Sequence, residues 1–302
     1  MISKLDAEMR MAEKLEERKN IQSLRKLTPS DSQLVDFCSN DYLGLARNIE
    51  LLESVEQEWK KLKELGTSQL IGSGGSRLLA GDSNYASLLE LQLAIFYKSE
   101  SALLFNSGYT ANLALFSAIP RRGDVILYDH LIHASTRDGI KMSNAKSWSF
   151  NHNDLFHLEE LLKKAEGMVY VAAEAIYSMD GDECPLNEMI LLCEKYGAAF
   201  ILDEAHSNGL FGERGEGLSV SKNIESRIFA RLLTFGKAVG CHGAVIVGSK
   251  LLRDYLVNFA RPFIYTTALP IHDLVVIKMA IENIAIQTNL RQQLALLVTY
   301  FQ

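Results

Sequence analysis

An acid, an imidazole and a lysine follow two short apolar runs, and together they could do acid–base and covalent chemistry. Asp203 and His206 come directly after the run Phe200–Leu202, and Lys237 follows the run Arg231–Phe235. Open α/β sheets place their ligands at the carboxyl ends of strands. A lysine there can form a Schiff base, and an acid can keep a pyridine nitrogen protonated. The set suits a pyridoxal-phosphate (PLP) site, although an ion pair and a surface lysine would use the same residue types.

Two further stretches could bind the phosphate of such a cofactor. The small polar residues of Asn106–Thr110 precede a helical pattern. A helix start offers free backbone N–H groups and the positive end of the helix dipole to an anion; an ordinary N-cap is the competing interpretation. The glycine-rich Gly72–Arg77 could also hold a phosphate. No strand immediately precedes it, and its spacing is neither Walker nor dinucleotide-binding, so a tight turn near a ligand is favoured there.

Composition excludes several classes of function. The chain has 302 residues, a net charge of −6 and no basic stripe, which disfavours nucleic acid as a partner. No apolar run approaches the length of a membrane span, and the charged N-terminus is unlike a signal peptide. The four cysteines form no CxxC pair, so neither a disulfide framework nor a metal site is indicated. We expect a cytoplasmic protein without a membrane partner.

The rest of the sequence alternates between apolar runs and helical patterns, which predicts an α/β fold. Strands are predicted at 34–38, 101–105, 124–128, 145–150, 168–173, 200–202, 231–235 and 242–248. Helices are predicted at 2–26, 49–65, 85–97 with Asp82 as N-cap, 111–118, 155–165, 188–196, 250–260 and 272–301. Such alternation is typical of a largely parallel sheet covered by helices on both faces.

Eight stretches, in family order over nearly the whole chain, resemble the α-oxoamine synthases. They are 39–45, 72–78, 107–109, 133–135, 177–182, 203–206, 234–237 and 265–270. The resemblance implies the PLP-dependent transferase fold of type I, with a mostly parallel seven-stranded sheet. It also implies an N-terminal helix and arm at 1–45 and a large PLP-binding domain at 46–260. Residues 261–302 would be a linker and the start of a small C-terminal domain that is largely missing here.

The resemblance also implies roles for individual residues. Lys237 would hold PLP covalently and later remove the Cα proton of an amino acid. Asp203 would pair with the pyridine nitrogen, His206 with the phenolic oxygen, and His133 would stack on the ring and contact substrate. Further cofactor contacts would come from Gly108, Tyr109, Ser178, Thr234, Thr266 and Thr267, the two threonines reaching a neighbouring subunit. Arg25 would bind a substrate carboxylate, unless it is a solvated helix charge, and Asn40 and Glu174 would lie near the substrate.

The implied reaction is a decarboxylative condensation of L-alanine with pimeloyl-CoA or pimeloyl-acyl-carrier protein, as in biotin biosynthesis. Its products would be 8-amino-7-oxononanoate, carbon dioxide and a free thiol. The family further implies a homodimer with shared active sites. Two alternatives stay open: another α-oxoamine synthase, such as the glycine-using 2-amino-3-ketobutyrate CoA ligase, and a non-catalytic partner subunit. The presence of Lys237 with Asp203 and His206 argues against the latter.

Overall fold

The chain divides into two compact units, Met1–Cys38 and Ser39–Gln302. The computed structural model describes residues 4–29, 33–67 and 70–301. The first unit contains helix α1 (Lys4–Asn20), which ends before the predicted residue 26, and all of these residues are exposed. Ile2, where this helix was predicted to begin, lies outside the described residues. The predicted boundaries at residues 45 and 260 stay a prediction.

The strand predicted at 34–38 is wrong. These residues are irregular and exposed, and the side chains of Leu34, Val35 and Phe37 are 71%, 78% and 86% exposed. A short apolar run becomes a strand only where it gains a partner strand and a face to bury. Within the described residues, this run has neither.

A seven-stranded sheet forms the centre of the second unit, which confirms the predicted α/β fold. The strands are β1 (Ser101–Phe105), β2 (Val125–Asp129), β3 (Lys146–Phe150), β4 (Val169–Glu174), β5 (Ala199–Asp203), β6 (Ala230–Thr234) and β7 (Ala244–Gly248). Their order is β1-β7-β6-β5-β4-β2-β3. Strands β3, β2, β4, β5 and β6 are parallel neighbours, whereas β7 runs antiparallel to both β6 and β1. The sheet is therefore mostly parallel with one reversed strand.

Helices cover both faces of this sheet. They are α2 (Ile49–Glu64), α3 (Asn84–Phe96), α4 (Gly108–Ala118), α5 (Ala134–Met142), α6 (Leu155–Lys164), α7 (Leu186–Tyr196), α8 (Leu218–Ser221), α9 (Lys250–Phe259), α10 (Arg261–Ile264), α11 (Ile271–Ile286) and α12 (Thr288–Phe301). The long pattern predicted at 272–301 is two helices, which are separated at Gln287. Helix α3 is capped by Ser83, and Asp82 instead pairs with Arg77.

The alternation of side chains along the strands divides the core between the two faces. On β1, Ala102 and Leu104 pack in the cluster that includes residues of α2, α3 and α11. Leu103 and Phe105 point the other way, into the cluster of α4, α5 and α9. Successive residues of a strand face opposite sides of the sheet, so each strand contributes side chains to the core on both faces. No helix in the described part of the chain is both long and apolar enough to cross a membrane.

Candidate active site

The carboxyl ends of three adjacent parallel strands carry the polar residues of the site. Glu174 is the last residue of β4, Asp203 of β5 and Thr234 of β6. Glu174 and Asp203 are direct partners in the β4–β5 register. Lys237 follows β6 in the turn that leads to β7. The strands themselves are apolar and buried. The segment after each strand can therefore turn and present polar groups only where that strand ends.

Lys237 lies within electrostatic reach of both carboxyl groups. Burial lowers the pKa of its amine, and the negative charges of Asp203 and Glu174 oppose this effect only in part. Burial and the neighbouring Asp203 raise the pKa of Glu174. Two acids and one amine therefore share a poorly solvated space in which protons can be exchanged.

His206 is neutral at physiological pH. The side chain is 9% exposed. Burial and the positive charge of Lys237 lower the pKa of its imidazole to about 4, although Asp203 acts in the opposite direction. Its Nδ1 lies 2.8 Å from the hydroxyl of Tyr42, which also contacts Asn40 Oδ1 at 3.1 Å. The predicted site residue Asn40 is thus connected to His206 through Tyr42, which the sequence analysis did not identify.

A chain of hydrogen bonds joins Asp203 to His133. The Asn112 amide nitrogen lies 2.8 Å from Asp203 Oδ2 and 2.9 Å from Ser135 Oγ. Ser135 Oγ lies 2.7 Å from His133 Nδ1. The backbone N–H of His133 donates to Glu174 Oε1 at 2.6 Å. Asn112 and Ser135 were not predicted as site residues, because a buried amide and a serine on a helix carry no distinctive spacing.

The start of α4 lies beside the end of β6. Ser107 caps the helix in a reciprocal capping box with Thr110, which confirms the N-cap interpretation for this residue. The first backbone N–H groups of a helix have no intrahelical partner. A Cβ on Gly108 would lie 3.3 Å from Thr234 Cβ, so glycine allows this close approach. Just before the cap, Asn106 Nδ2 donates to Thr267 O at 2.9 Å and contacts Thr266 Oγ1 at 3.4 Å. The two threonines therefore lie beside the same helix start of their own chain.

For Ser178, Tyr109 and Arg25, the described part of the chain shows no hydrogen bond to the residues above. Ser178 is exposed in the turn after β4. Tyr109 is the second residue of α4, but its hydroxyl donates to Asp138 Oδ2 at 2.7 Å. Arg25 belongs to the N-terminal unit, and its role in substrate binding stays a prediction.

A second polar cluster fixes the turn that carries Ser178. His152 Nδ1 lies 3.0 Å from Asp129 Oδ1 at the end of β2, and its Nε2 lies 2.7 Å from Asp182 Oδ2. Burial alone would lower the pKa of His152, but its hydrogen bonds with Asp129 and Asp182 outweigh that effect and raise the pKa. The imidazole therefore links this turn to the carboxyl end of β2.

The fold beneath these polar residues agrees with a comparison of the whole sequence with known protein families. The chain belongs to the aminotransferase class I and II family, whose model matches residues 32–298. This finding, with the relatives below, confirms the resemblance seen in the sequence.

Three known proteins are similar to this chain in sequence or in structure and are more specific than the family model. The 8-amino-7-oxononanoate synthase of Emericella nidulans is 39% identical over 97% of this chain and 74% of its own length. A structure of serine palmitoyltransferase (SPT) with PLP is 30% identical to this chain and has a TM-score of 0.78. The match covers 85% of this chain and 63% of the SPT chain. The 8-amino-7-oxononanoate synthase structure from Francisella tularensis is 30% identical with a TM-score of 0.73, covering 87% and 72%. The chain thus spans between about three fifths and three quarters of these proteins' lengths.

Proposed function

We propose that this chain binds PLP through Lys237 and uses it to condense an amino acid with an acyl thioester. The observation that carries the proposal is the placement of Lys237 beside Asp203 and Glu174, at the carboxyl ends of parallel strands. A lowered pKa increases the neutral fraction of the amine, which is the form that attacks a carbonyl or accepts a proton. PLP would supply an electron sink for carbanion charge.

The residues of the cluster fit this cofactor. The carboxylate of Asp203 accepts hydrogen bonds from Asn112 and from the backbone of Ala205, which fix its orientation. We assign to it the pyridine nitrogen, which a fixed anion keeps protonated. The neutral His206 would hydrogen-bond the phenolic oxygen. The start of α4 at Gly108 and Tyr109, with Thr234 beside it, would hold the phosphate through backbone N–H groups and hydroxyls.

The residues of this chain would then control the protons of the reaction. Lys237 would accept the Cα proton of the amino acid, and its partly buried position would limit the access of competing water. His133, whose backbone N–H donates to Glu174, is proposed to lie over the ring on family resemblance. Ser178, Asn40 and Arg25 are proposed as further contacts on family resemblance.

For the substrates, we propose L-alanine and a pimeloyl thioester, giving 8-amino-7-oxononanoate. The support is the sequence likeness to 8-amino-7-oxononanoate synthases. A second candidate is a serine palmitoyltransferase-like reaction on L-serine, which the likeness to SPT favours. The family further supports a homodimer, in which Thr266 and Thr267 would also reach the partner's phosphate.

A spectroscopic titration tests the proposal. Purified protein is titrated with PLP while the visible absorbance of the bound cofactor is followed, and then L-alanine, L-serine and glycine are compared. We expect a visible band that is lost in Lys237→Ala and retained in Lys164→Ala, a control at an exposed lysine at the end of α6. A larger spectral change with L-alanine than with the other two supports the proposed substrate. If the wild type gives no lysine-dependent band, the proposed function is wrong.

A further inference from the structure

Two buried polar side chains, Asn112 of α4 and Ser135 of α5, were assigned no function by the family resemblance, although Ser135 lies in one of the matching stretches. They are 2% and 1% exposed. Their helices pack so closely that a Cβ on Gly139 of α5 would lie 2.9 Å from the backbone oxygen of Asn112. Buried polar groups need hydrogen-bond partners, and these two find theirs in Asp203 and His133. Through these contacts, both side chains are linked to residues of the proposed cofactor site.

The hydrogens along this chain of contacts follow from what each group can donate. The carboxylate of Asp203 only accepts, so the Asn112 atom 2.8 Å away must be the amide nitrogen. The same nitrogen donates its second hydrogen to Ser135 Oγ. The hydroxyl hydrogen of Ser135 is then available for His133 Nδ1.

A second contact fixes the direction of this last bond. The backbone N–H of Ser135 points at the same Nδ1 at 3.2 Å, and an N–H can only donate. His133 Nδ1 therefore accepts from both the backbone and the hydroxyl of Ser135. An imidazole whose Nδ1 is an acceptor carries its proton on Nε2.

We propose that Asn112 and Ser135 are positioning residues that hold the Asp203 carboxylate in place and fix His133 in its Nε2–H form. Nε2 then is a hydrogen-bond donor for an oxygen of a bound ligand. The importance of this arrangement for catalysis rests on the proposed function. The assignment of hydrogens does not, because it concerns contacts within the chain alone.

The tautomer can be measured in the cofactor-free protein. Histidine labelled with the heavy nitrogen isotope gives an NMR correlation pattern that distinguishes the two ring nitrogens, and His133→Asn identifies the signal of this residue. We expect a protonated Nε2 and an unprotonated Nδ1. A protonated Nδ1, or an averaged mixture of both forms, would overturn the proposal even if the variants below fail to fold.

Two substitutions test the source of this preference. Asn112→Ala removes the amide that donates to Ser135 Oγ, and Ser135→Ala removes the hydroxyl that donates to His133 Nδ1. We expect both to shift the Nδ1 resonance of His133 toward that of a mixed tautomer. The control is Ser117→Ala, because within the described residues this hydroxyl hydrogen-bonds only the backbone of its own helix, at Leu113.

The outcomes separate this proposal from the proposed function. If both variants leave the His133 resonances as in the wild type, Asn112 and Ser135 do not set the tautomer, and the proposal is wrong. If the wild type shows the expected tautomer but no lysine-dependent absorbance with PLP, the hydrogen-bond assignment stands and the proposed function fails.

Discussion

The neutral state of His206 should make the stability of the protein dependent on pH. The pKa of this imidazole is lowered from 6.5 to about 4 in the folded chain, whereas an unfolded chain restores the ordinary value. Between these two pH values, the unfolded protein binds more protons than the folded one. Stability from this residue is therefore fully present above 6.5 and is lost as the pH falls toward 4.

The size of the effect follows from the two pKa values. Lowering the pH from about 7.5 to about 5 should cost the folded state about 2 kcal/mol through His206 if the whole pKa shift disappears on unfolding. The imidazole keeps some contact with solvent, so screening reduces this to about 1–2 kcal/mol.

The measurement compares urea unfolding of the wild type and His206→Asn, both without cofactor, over this pH range. Titrating groups distant from His206 affect both proteins alike, so the difference between their unfolding free energies reports on His206 and on its coupling to Lys237 and Asp203. We expect the wild type to lose more stability than the variant as the pH falls. Above about pH 7.5 the two curves should run parallel, which is the internal control.

Curves that run parallel down to about pH 5 would refute this account of His206. A wild type that gains stability relative to the variant on acidification would show that the histidine is protonated in the fold. Asp203 would then dominate over burial and over the charge of Lys237.

Two further predictions concern packing beneath the site. Arg231→Met leaves the carboxylate of Glu204 without its buried ion-pair partner, and we expect the free energy of unfolding in urea to fall by about 3–5 kcal/mol. The control is Arg227→Met at an exposed ion pair, which should change this free energy little. An equal loss in both variants would contradict the reasoning. Gly139→Ala should cost about 1–3 kcal/mol by overpacking α4 against α5. Gly72→Ala, where a Cβ meets nothing within 4 Å, is the matched control, and equal stability of the two proteins would argue against close packing.

The sequence predicted most strands of the sheet because they are short apolar runs bounded by polar or glycine residues, whereas β3 contains a lysine and two serines. Its limits appear where neighbours in space decide the structure. The run 34–38 has the composition of a strand, yet it has no partner strand within the described residues. Likewise, nothing in the residues of β7 indicates that it runs opposite to β6, because the length and path of the turn after Lys237 set its direction.

The candidate site was predictable where the chain itself brings residues together. Asp203 ends one buried strand and Lys237 follows the neighbouring one, so the sheet brings the two residues close together. Asn112, Ser135 and Tyr42 could not be found this way. Each contacts its partner across a helix or loop far away in sequence, and none has a side chain unusual for its element.

The reversed strand β7 has a consequence for how the protein forms during synthesis. The only strand partner of β1 within the described residues is β7, which runs from Ala244 to Gly248, whereas β1 ends at Phe105. At ordinary translation rates of about 5–20 residues per second, β1 waits roughly 7–30 seconds for that partner. During this interval its apolar side chains have no completed sheet to join, and long-range pairing of this kind slows folding. The nascent chain is then most exposed to aggregation, and a chaperone that shields this segment should raise the yield of folded protein.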